Sequence, residues 1–147
     1  MEMITSFKRK ETRFLSNFYP VTVTLDGEQY AAVEDAFQAA KTLDMKQRRL
    51  IQLCQTPAEA RKCGRRVTLR PDWNEIKLDV MLQLLRQKFS RPDLKALLLA
   101  TEDAVLIEGN THHDNFWGNC TCKRCAEIEG ENHLGKLLMQ VREEMKM

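Results

Sequence analysis

Two stretches of the chain combine the residue types that acid–base and nucleophilic chemistry needs. The first is the segment 30–41, where Glu34, Gln38 and Lys41 recur at helical spacing beside an apolar row. A carboxylate, an amide and an ammonium along the rim of a core can line a pocket. The alternative is a solvated helix face with an ordinary hydrogen-bonding ladder. Taken by itself, the segment favours that alternative, because most charged helix positions only contact solvent.

The second stretch is the segment 111–119, which has neither a helical nor a strand period and is therefore predicted to be a loop. Asp114 lies three residues before Trp117 and next to two histidines. A carboxylate close to an indole ring suits recognition of a base or sugar beside an acid–base group. Alternatively, Asp114 forms an Asx-type turn and Trp117 packs in the core. The sequence leaves both interpretations open.

A third candidate for chemistry is the cysteine segment 120–125. Cys120, Cys122 and Cys125 have a spacing that can share a zinc ion. A structural zinc takes four ligands, and no second Cys-x-x-Cys is present, so we expect free thiols and no metal or other cofactor. Zinc at these three cysteines is the alternative. The fourth ligand would then be a distant cysteine, His112, His113 or His133.

Length and composition limit the class of protein. With 147 residues, 43% hydrophobic and 30% charged, the chain is predicted to form one domain over 1–147. No signal peptide or membrane-length apolar run is evident, and five cysteines are an odd number, which favours a reducing, cytoplasmic setting. A net charge of +2 makes nucleic-acid binding through the basic residues of 61–70 a weak possibility. Dinucleotide, P-loop, serine-hydrolase and zinc-protease motifs are all missing.

The elements that must position these residues are mostly helical. Alternating apolar residues over 21–25 and the Asp26-Gly27 turn predict a β-hairpin. Periodicity and capping residues predict helices at 32–54 and 57–64, two more beginning near 73 and 92, and a last one over 132–146. A short strand is predicted within 104–108. The expected fold class is therefore α+β, a mainly helical single domain with a few short strands.

Together, seven segments of the chain resemble the NADAR family, also called the YbiA-like family, over about residues 6 to 143. The segments are Phe14-Leu15-Ser16-Asn17-Phe18, Tyr30-x3-Glu34-x3-Gln38-Ala39-x-Lys41, Trp73, Met81, Lys88-Phe89, Asp114-x2-Trp117-Gly118, and Asn132-x2-Gly135-x2-Leu138-Met139-x2-Arg142. The resemblance implies an N-glycosidase. Its substrate would be a small ribosyl phosphate, such as an early riboflavin-pathway intermediate, or nucleic acid ADP-ribosylated on guanine.

The resemblance also implies roles for individual residues. Glu34 and Asp114 match the family's functional acids, and Lys41 matches a lysine that acts at the anomeric carbon of the sugar. The substrate-binding residues implied in the same way are Ser16, Asn17, Trp73 and Trp117. The three cysteines replace a segment that is often glycine-rich in the family, which leaves the metal question open. The alternative function is a non-catalytic module that binds ADP-ribose or a related nucleotide.

Overall fold

The computed structural model describes residues 2–146, and these divide into two compact units. We call residues 17–90 the central unit and residues 2–16 with 91–146 the terminal unit. Helices predominate and the strands are short, so the predicted α+β class is confirmed. The single domain over 1–147 stays a prediction. Within the described range, no helix combines the length and apolar character that crossing a membrane requires.

The central unit begins with a β-hairpin of strands β2 and β3, which follow a short first strand, β1, in the terminal unit. Asp26 and Gly27 connect the two hairpin strands with φ angles of 49° and 86°, as a tight hairpin turn requires. The Asp26 carboxylate also pairs with the buried Arg48 guanidinium at 2.7 Å. The predicted hairpin is thus confirmed. The strand bounds are β1 Met3–Ile4, β2 Pro20–Leu25 and β3 Glu28–Ala32.

Four helices follow the hairpin, and the first of them is the centre of the unit. Every residue of α1 is buried, because α2, α3, α4 and both hairpin strands all pack against it. Its polar side chains are therefore enclosed by protein rather than exposed on a helix face. The helix bounds are α1 Val33–Ala40, α2 Met45–Gln52, α3 Pro57–Gly64 and α4 Trp73–Lys88.

The single helix predicted over 32–54 is wrong, because the chain breaks it into α1 and α2. Asp44 caps α2: its Oδ1 accepts hydrogen bonds from the backbone N–H groups of Lys46 at 2.9 Å and Gln47 at 3.2 Å. Thr42 helps to shape the break, since its hydroxyl accepts a hydrogen bond from the Asp44 N–H. A cap within an apparently continuous helical pattern is the physical reason for the error.

The terminal unit combines two helices with two small parallel strand pairs. Strand β1 pairs with β4, and β5 pairs with β6. Helix α6 packs against β4 and α5, so that Leu98, Leu106 and Leu138 are fully buried. The predicted strand within 104–108 and the predicted last helix are confirmed. The bounds are α5 Pro92–Leu99, β4 Val105–Leu106, β5 Gly109–Asn110, β6 Asn119–Cys120 and α6 His133–Met145.

Candidate active site

Glu34 is a buried carboxylate held by two side chains at the start of α1. It is 4% exposed; Arg61 Nη2 lies 3.2 Å from its Oε1, and Gln38 Nε2 donates to its Oε2 at 2.7 Å. The interpretation of this row as a solvated helix face is therefore wrong for Glu34 and Gln38. With both oxygens engaged by donors, the orientation of the carboxylate is fixed.

Lys41 lies at the other end of α1, two turns after Glu34. Burial lowers the pKa of its ammonium group, and the charges of Arg61, Arg65 and Lys77 lower it further, while the Glu34 carboxylate opposes this shift. A lowered pKa increases the fraction of neutral amine, the form that can attack an electrophilic carbon. The Glu34 carboxylate thus acts on the charge of Lys41, and the catalytic roles of both residues stay predictions.

Asn17 connects the loop before β2 to the start of α1. Its carbonyl accepts the Glu34 N–H at 3.0 Å, and its Nδ2 lies 3.6 Å from the sulfur of Met81. Three buried side-chain oxygens have no hydrogen-bond partner among residues 2–146: Asn17 Oδ1, Asp35 Oδ1 and Gln38 Oε1. Buried acceptors are normally satisfied by hydrogen bonds, so three unpartnered oxygens on Asn17 and α1 are unusual.

An open groove of about 380 Å³ lies on the same unit. Arg61 connects it to Glu34, because its guanidinium pairs with that carboxylate and also stacks 4.6 Å from the Phe18 ring centre. Three cations against one carboxylate make the groove basic, which suits an anionic group. The predicted basic cluster over 61–70 thus contributes to a concave surface. The lining residues are Phe18, Ala58, Glu59, Arg61, Lys62 and Arg65.

Trp73 is buried at the start of α4. Its ring centre is 5.0 Å from that of Phe37 on α1, and only 6% of the residue is exposed. This contact fixes α4 against the helix that carries Glu34 and Lys41. The substrate-binding role of Trp73 stays a prediction.

In the terminal unit, the Asp114 side chain shapes its own loop. Its Oδ1 accepts hydrogen bonds from the N–H groups of Phe116 at 3.1 Å and Trp117 at 2.9 Å, so the Asx-type turn is confirmed. The buried Asn110 side chain holds the same loop, donating to the Asp114 carbonyl and accepting from its N–H. Sequence reasoning missed Asn110, although a Gly-Asn pair directly after a strand is a signal for such a turn.

The predicted site residues are divided between the two units. Asn17, Glu34, Lys41 and Trp73 belong to the central unit. Ser16, Asp114 and Trp117 belong to the terminal unit, where the Ser16 N–H closes a 3₁₀ turn on the Arg13 carbonyl. Trp117 is partly exposed, and its ring lies edge-on to Phe116 at 5.0 Å.

A separate group of side chains in the terminal unit could hold a metal ion. The Nδ1 atom of His113 lies 3.9, 3.3 and 3.5 Å from the sulfur atoms of Cys120, Cys122 and Cys125. All four ligand atoms lie within 4.8 Å of one another. Of the three histidines that the sequence left open as a fourth ligand, the fold brings His113 to the thiols.

Comparison with known proteins gives matches over nearly the whole chain. The model of the NADAR domain matches residues 6–146. N-glycosidase YbiA from Escherichia coli (strain K12) is 39% identical over 133 residues, which are 88% of this chain and 79% of that protein. Its NMR structure superposes with a TM-score of 0.82 at 36% identity, covering 99% of this chain and 87% of the other. Riboflavin biosynthesis protein VVA0006 from Vibrio vulnificus is 35% identical over 136 residues, 90% of this chain and 35% of that protein.

Proposed function

The chain belongs to the NADAR domain family, and we propose that it is a hydrolase that cleaves the C1–N bond of a ribosyl substrate. Relatives named N-glycosidase support this reaction class. The observation that carries the proposal is the buried Glu34 carboxylate, fixed by Arg61 and Gln38 and electrostatically coupled to Lys41.

Cleavage of an N-glycosidic bond develops positive charge on C1 of the ribose in an oxocarbenium-like transition state. A fixed carboxylate stabilises that charge without having to reorient during the reaction. The same carboxylate can accept a proton from the attacking water. We assign these roles to Glu34, because Arg61 and Gln38 hold its two oxygens.

Lys41 is assigned the role of a nucleophile that attacks the anomeric carbon, C1. Burial lowers the pKa of its amine, which increases the neutral fraction available for attack on C1 of an opened ribose. This attack would form a bond from the lysine nitrogen to C1 and break the bond from C1 to the base, which leaves as an amine. Water would then hydrolyse the lysine–C1 imine and release the sugar. Asp114 in the terminal unit is proposed as the second catalytic acid, on the strength of the family motif Asp114-x2-Trp117-Gly118. Each role is open to test by its own substitution.

Substrate binding is assigned to the basic groove and to residues of the family's motifs. The basic groove with Arg61, Lys62 and Arg65 suits the phosphate of a ribosyl phosphate. Asn17 is proposed to contact the ribose because it matches the family's loop near the ligand. The same unit would recognise either proposed substrate, a small ribosyl phosphate or ADP-ribosylated nucleic acid, because both present ribose and phosphate. Ser16, Trp73 and Trp117 are proposed as further substrate contacts because they match the family's motifs, and either indole ring could stack on a flat base.

We place the reaction in the cytoplasm, since an odd number of cysteines, five, suits a reducing compartment. A non-catalytic ADP-ribose-binding module is the alternative function. It accounts less well for Glu34 and Lys41, because a binder of an anionic ligand has no need for a buried carboxylate beside an amine of lowered pKa.

A paired hydrolysis assay on the purified protein tests the proposal and chooses the substrate. One sample contains phosphoribosylamino-pyrimidine intermediates of riboflavin synthesis, and the other contains an oligonucleotide ADP-ribosylated on guanine; products are identified by mass spectrometry. Release of free pyrimidine alone indicates a metabolite hydrolase, and release of ADP-ribose alone indicates a base-repair hydrolase. Binding of ADP-ribose with no turnover of either substrate would contradict the enzyme and support the binding module.

A further inference from the structure

The contacts of His113 Nδ1 exceed what hydrogen bonding can supply. This atom offers either one lone pair or one N–H group, so it can form one good hydrogen bond at a time. Three sulfur atoms nevertheless lie 3.3, 3.5 and 3.9 Å away from it. Three close approaches to a single nitrogen are expected when all four atoms surround a common centre.

The nitrogen–sulfur distances match those between the ligands of a tetrahedral zinc ion. With Zn–S near 2.3 Å and Zn–N near 2.0 Å, neighbouring nitrogen and sulfur ligands are about 3.5 Å apart and two sulfur ligands about 3.8 Å apart. The three nitrogen–sulfur distances bracket the first value. All four ligand atoms lie within 4.8 Å of one another, at most about 1 Å beyond the second value. Three thiolates and one imidazole are also a ligand set typical of structural zinc.

The backbone is shaped to bring these side chains together. Cys120 lies on strand β6, and Cys125 ends a 3₁₀ turn over Lys123–Cys125. His113 has a φ angle of 69°, in the left-handed region, which is unfavourable for a residue with a Cβ. A cost of this kind persists where the surroundings compensate it, and a metal bond to Nδ1 would do so.

Asn115 supplies the outer hydrogen bonds that metal thiolates usually have. Its Nδ2 donates to the sulfur of Cys125 at 3.4 Å, and its Oδ1 accepts the N–H of Cys120 at 2.9 Å. Such partners orient the ligands of a metal site. Asp114 lies between His113 and Asn115 in the chain, so the residues on both sides of it contact the cluster.

We propose that His113, Cys120, Cys122 and Cys125 bind one Zn²⁺ ion that fixes the loop carrying Asp114 and Trp117. Four protein ligands leave no open position for water or substrate, so the role of this ion is structural. Binding converts three thiols to thiolates and releases three protons, and the occupied site carries one negative charge near Lys123 and Arg124. The proposal replaces the expectation of free thiols without a metal.

Metal analysis of the full chain tests the site independently of any enzyme activity. The test variants are Cys122→Ser and His113→Gln, and the matched control is Cys54→Ser, because Cys54 lies in the central unit outside the cluster. We expect about one zinc per chain in the wild type and in Cys54→Ser, and less than about a tenth of that in both test variants. Equal zinc content in the wild type and Cys122→Ser would overturn the proposal.

A second measurement keeps the proposal testable if the variants fold poorly. Wild-type protein is stripped with a chelator under reducing conditions and titrated with Co²⁺. One equivalent should produce the visible absorption of a tetrahedral cobalt–thiolate centre, and zinc should displace it. The ligand set would be contradicted if Co²⁺ did not bind, or if it bound without the intense visible bands of cobalt–thiolate coordination.

Amide hydrogen exchange tests separately whether the zinc ion fixes the loop that carries Asp114. Removal of the metal should accelerate exchange over 111–126 at least about tenfold, with little change over 33–40 in α1. Unchanged exchange in 111–126 would show that the ion does not fix the Asp114 loop. Because zinc content and exchange are measured without substrate, failure of this inference is distinguishable from failure of the proposed hydrolase activity.

Discussion

Asp35 offers a quantitative test of how α1 is buried. Burial raises the pKa of its carboxyl from 3.8 to about 6, its own backbone N–H opposes this shift, and the charge of Glu34 adds to it. Its Oδ1 has no hydrogen-bond partner among the described residues. Replacing Asp35 by Asn removes the charge and keeps the shape of the side chain.

The sign of the effect follows from proton binding. Between pH 3.8 and about 6 the folded protein keeps a proton on Asp35 that the unfolded chain has lost. The free energy of unfolding therefore falls as pH rises through this window. The contribution of the protonated Asp35 is fully present below the window and is lost above it. The difference between a pKa of 3.8 and one of about 6 corresponds to a change of about 3 kcal/mol in the free energy of unfolding. We expect Asp35→Asn to stabilise the protein by about 1–3 kcal/mol near pH 8 and by close to nothing near pH 4.

Urea unfolding at several pH values between about 4 and 8 measures this difference. The control is Asp79→Asn, an exposed carboxylate on α4 that should leave the pH dependence of the wild type unchanged. Other groups titrate in the same window, so the quantity to compare is the difference between the wild type and each variant. A wild type and an Asp35→Asn variant with parallel pH profiles would refute the reasoning.

Three further predictions concern the proposed site and its support. Asp114→Asn should abolish hydrolysis while leaving the circular dichroism spectrum intact; retained turnover would remove Asp114 from the mechanism. Lys41→Arg should lower kcat at least about 100-fold, because it keeps the charge and loses the nucleophilic amine; a kcat within about twofold of wild type would exclude attack by Lys41. Ile51→Ala should lower the free energy of unfolding by about 2–5 kcal/mol, since Ile51 on α2 is fully buried. The exposed Leu50→Ala should change the free energy of unfolding by about 0.5 kcal/mol or less in the same urea titration, and equal losses would contradict the packing described.

Turns and helix starts were predictable where neighbouring residues in the sequence determine them. The Asp26-Gly27 turn and the Thr56-Pro57 helix start each depend on neighbouring residues, and both lie where the sequence placed them. The break between α1 and α2 was missed, because the apolar pattern continues through it. The Asp44 cap was available as a signal within Thr42-Leu43-Asp44.

The environment of the candidate site depends on contacts between elements distant in sequence. Spacing along α1 showed that Glu34 and Gln38 share a face, but their burial results from the packing of α3, which brings Arg61 to Glu34. In the same way, the sequence left three histidines open as a fourth ligand, and the fold places the His113 side chain beside the three thiols. A single sequence contains no local signal for either outcome.

The most direct test of the central claim is turnover by Glu34→Gln on whichever ribosyl substrate the wild type cleaves. The matched control is Glu75→Gln, an exposed glutamate in the first turn of α4. Gln can still pair with Gln38 but carries no charge to stabilise C1, so kcat should fall at least about 1000-fold with substrate affinity nearly unchanged. The control should keep wild-type kcat. A Glu34→Gln variant with kcat within about tenfold of the wild type would contradict the assignment of Glu34 as the catalytic carboxylate.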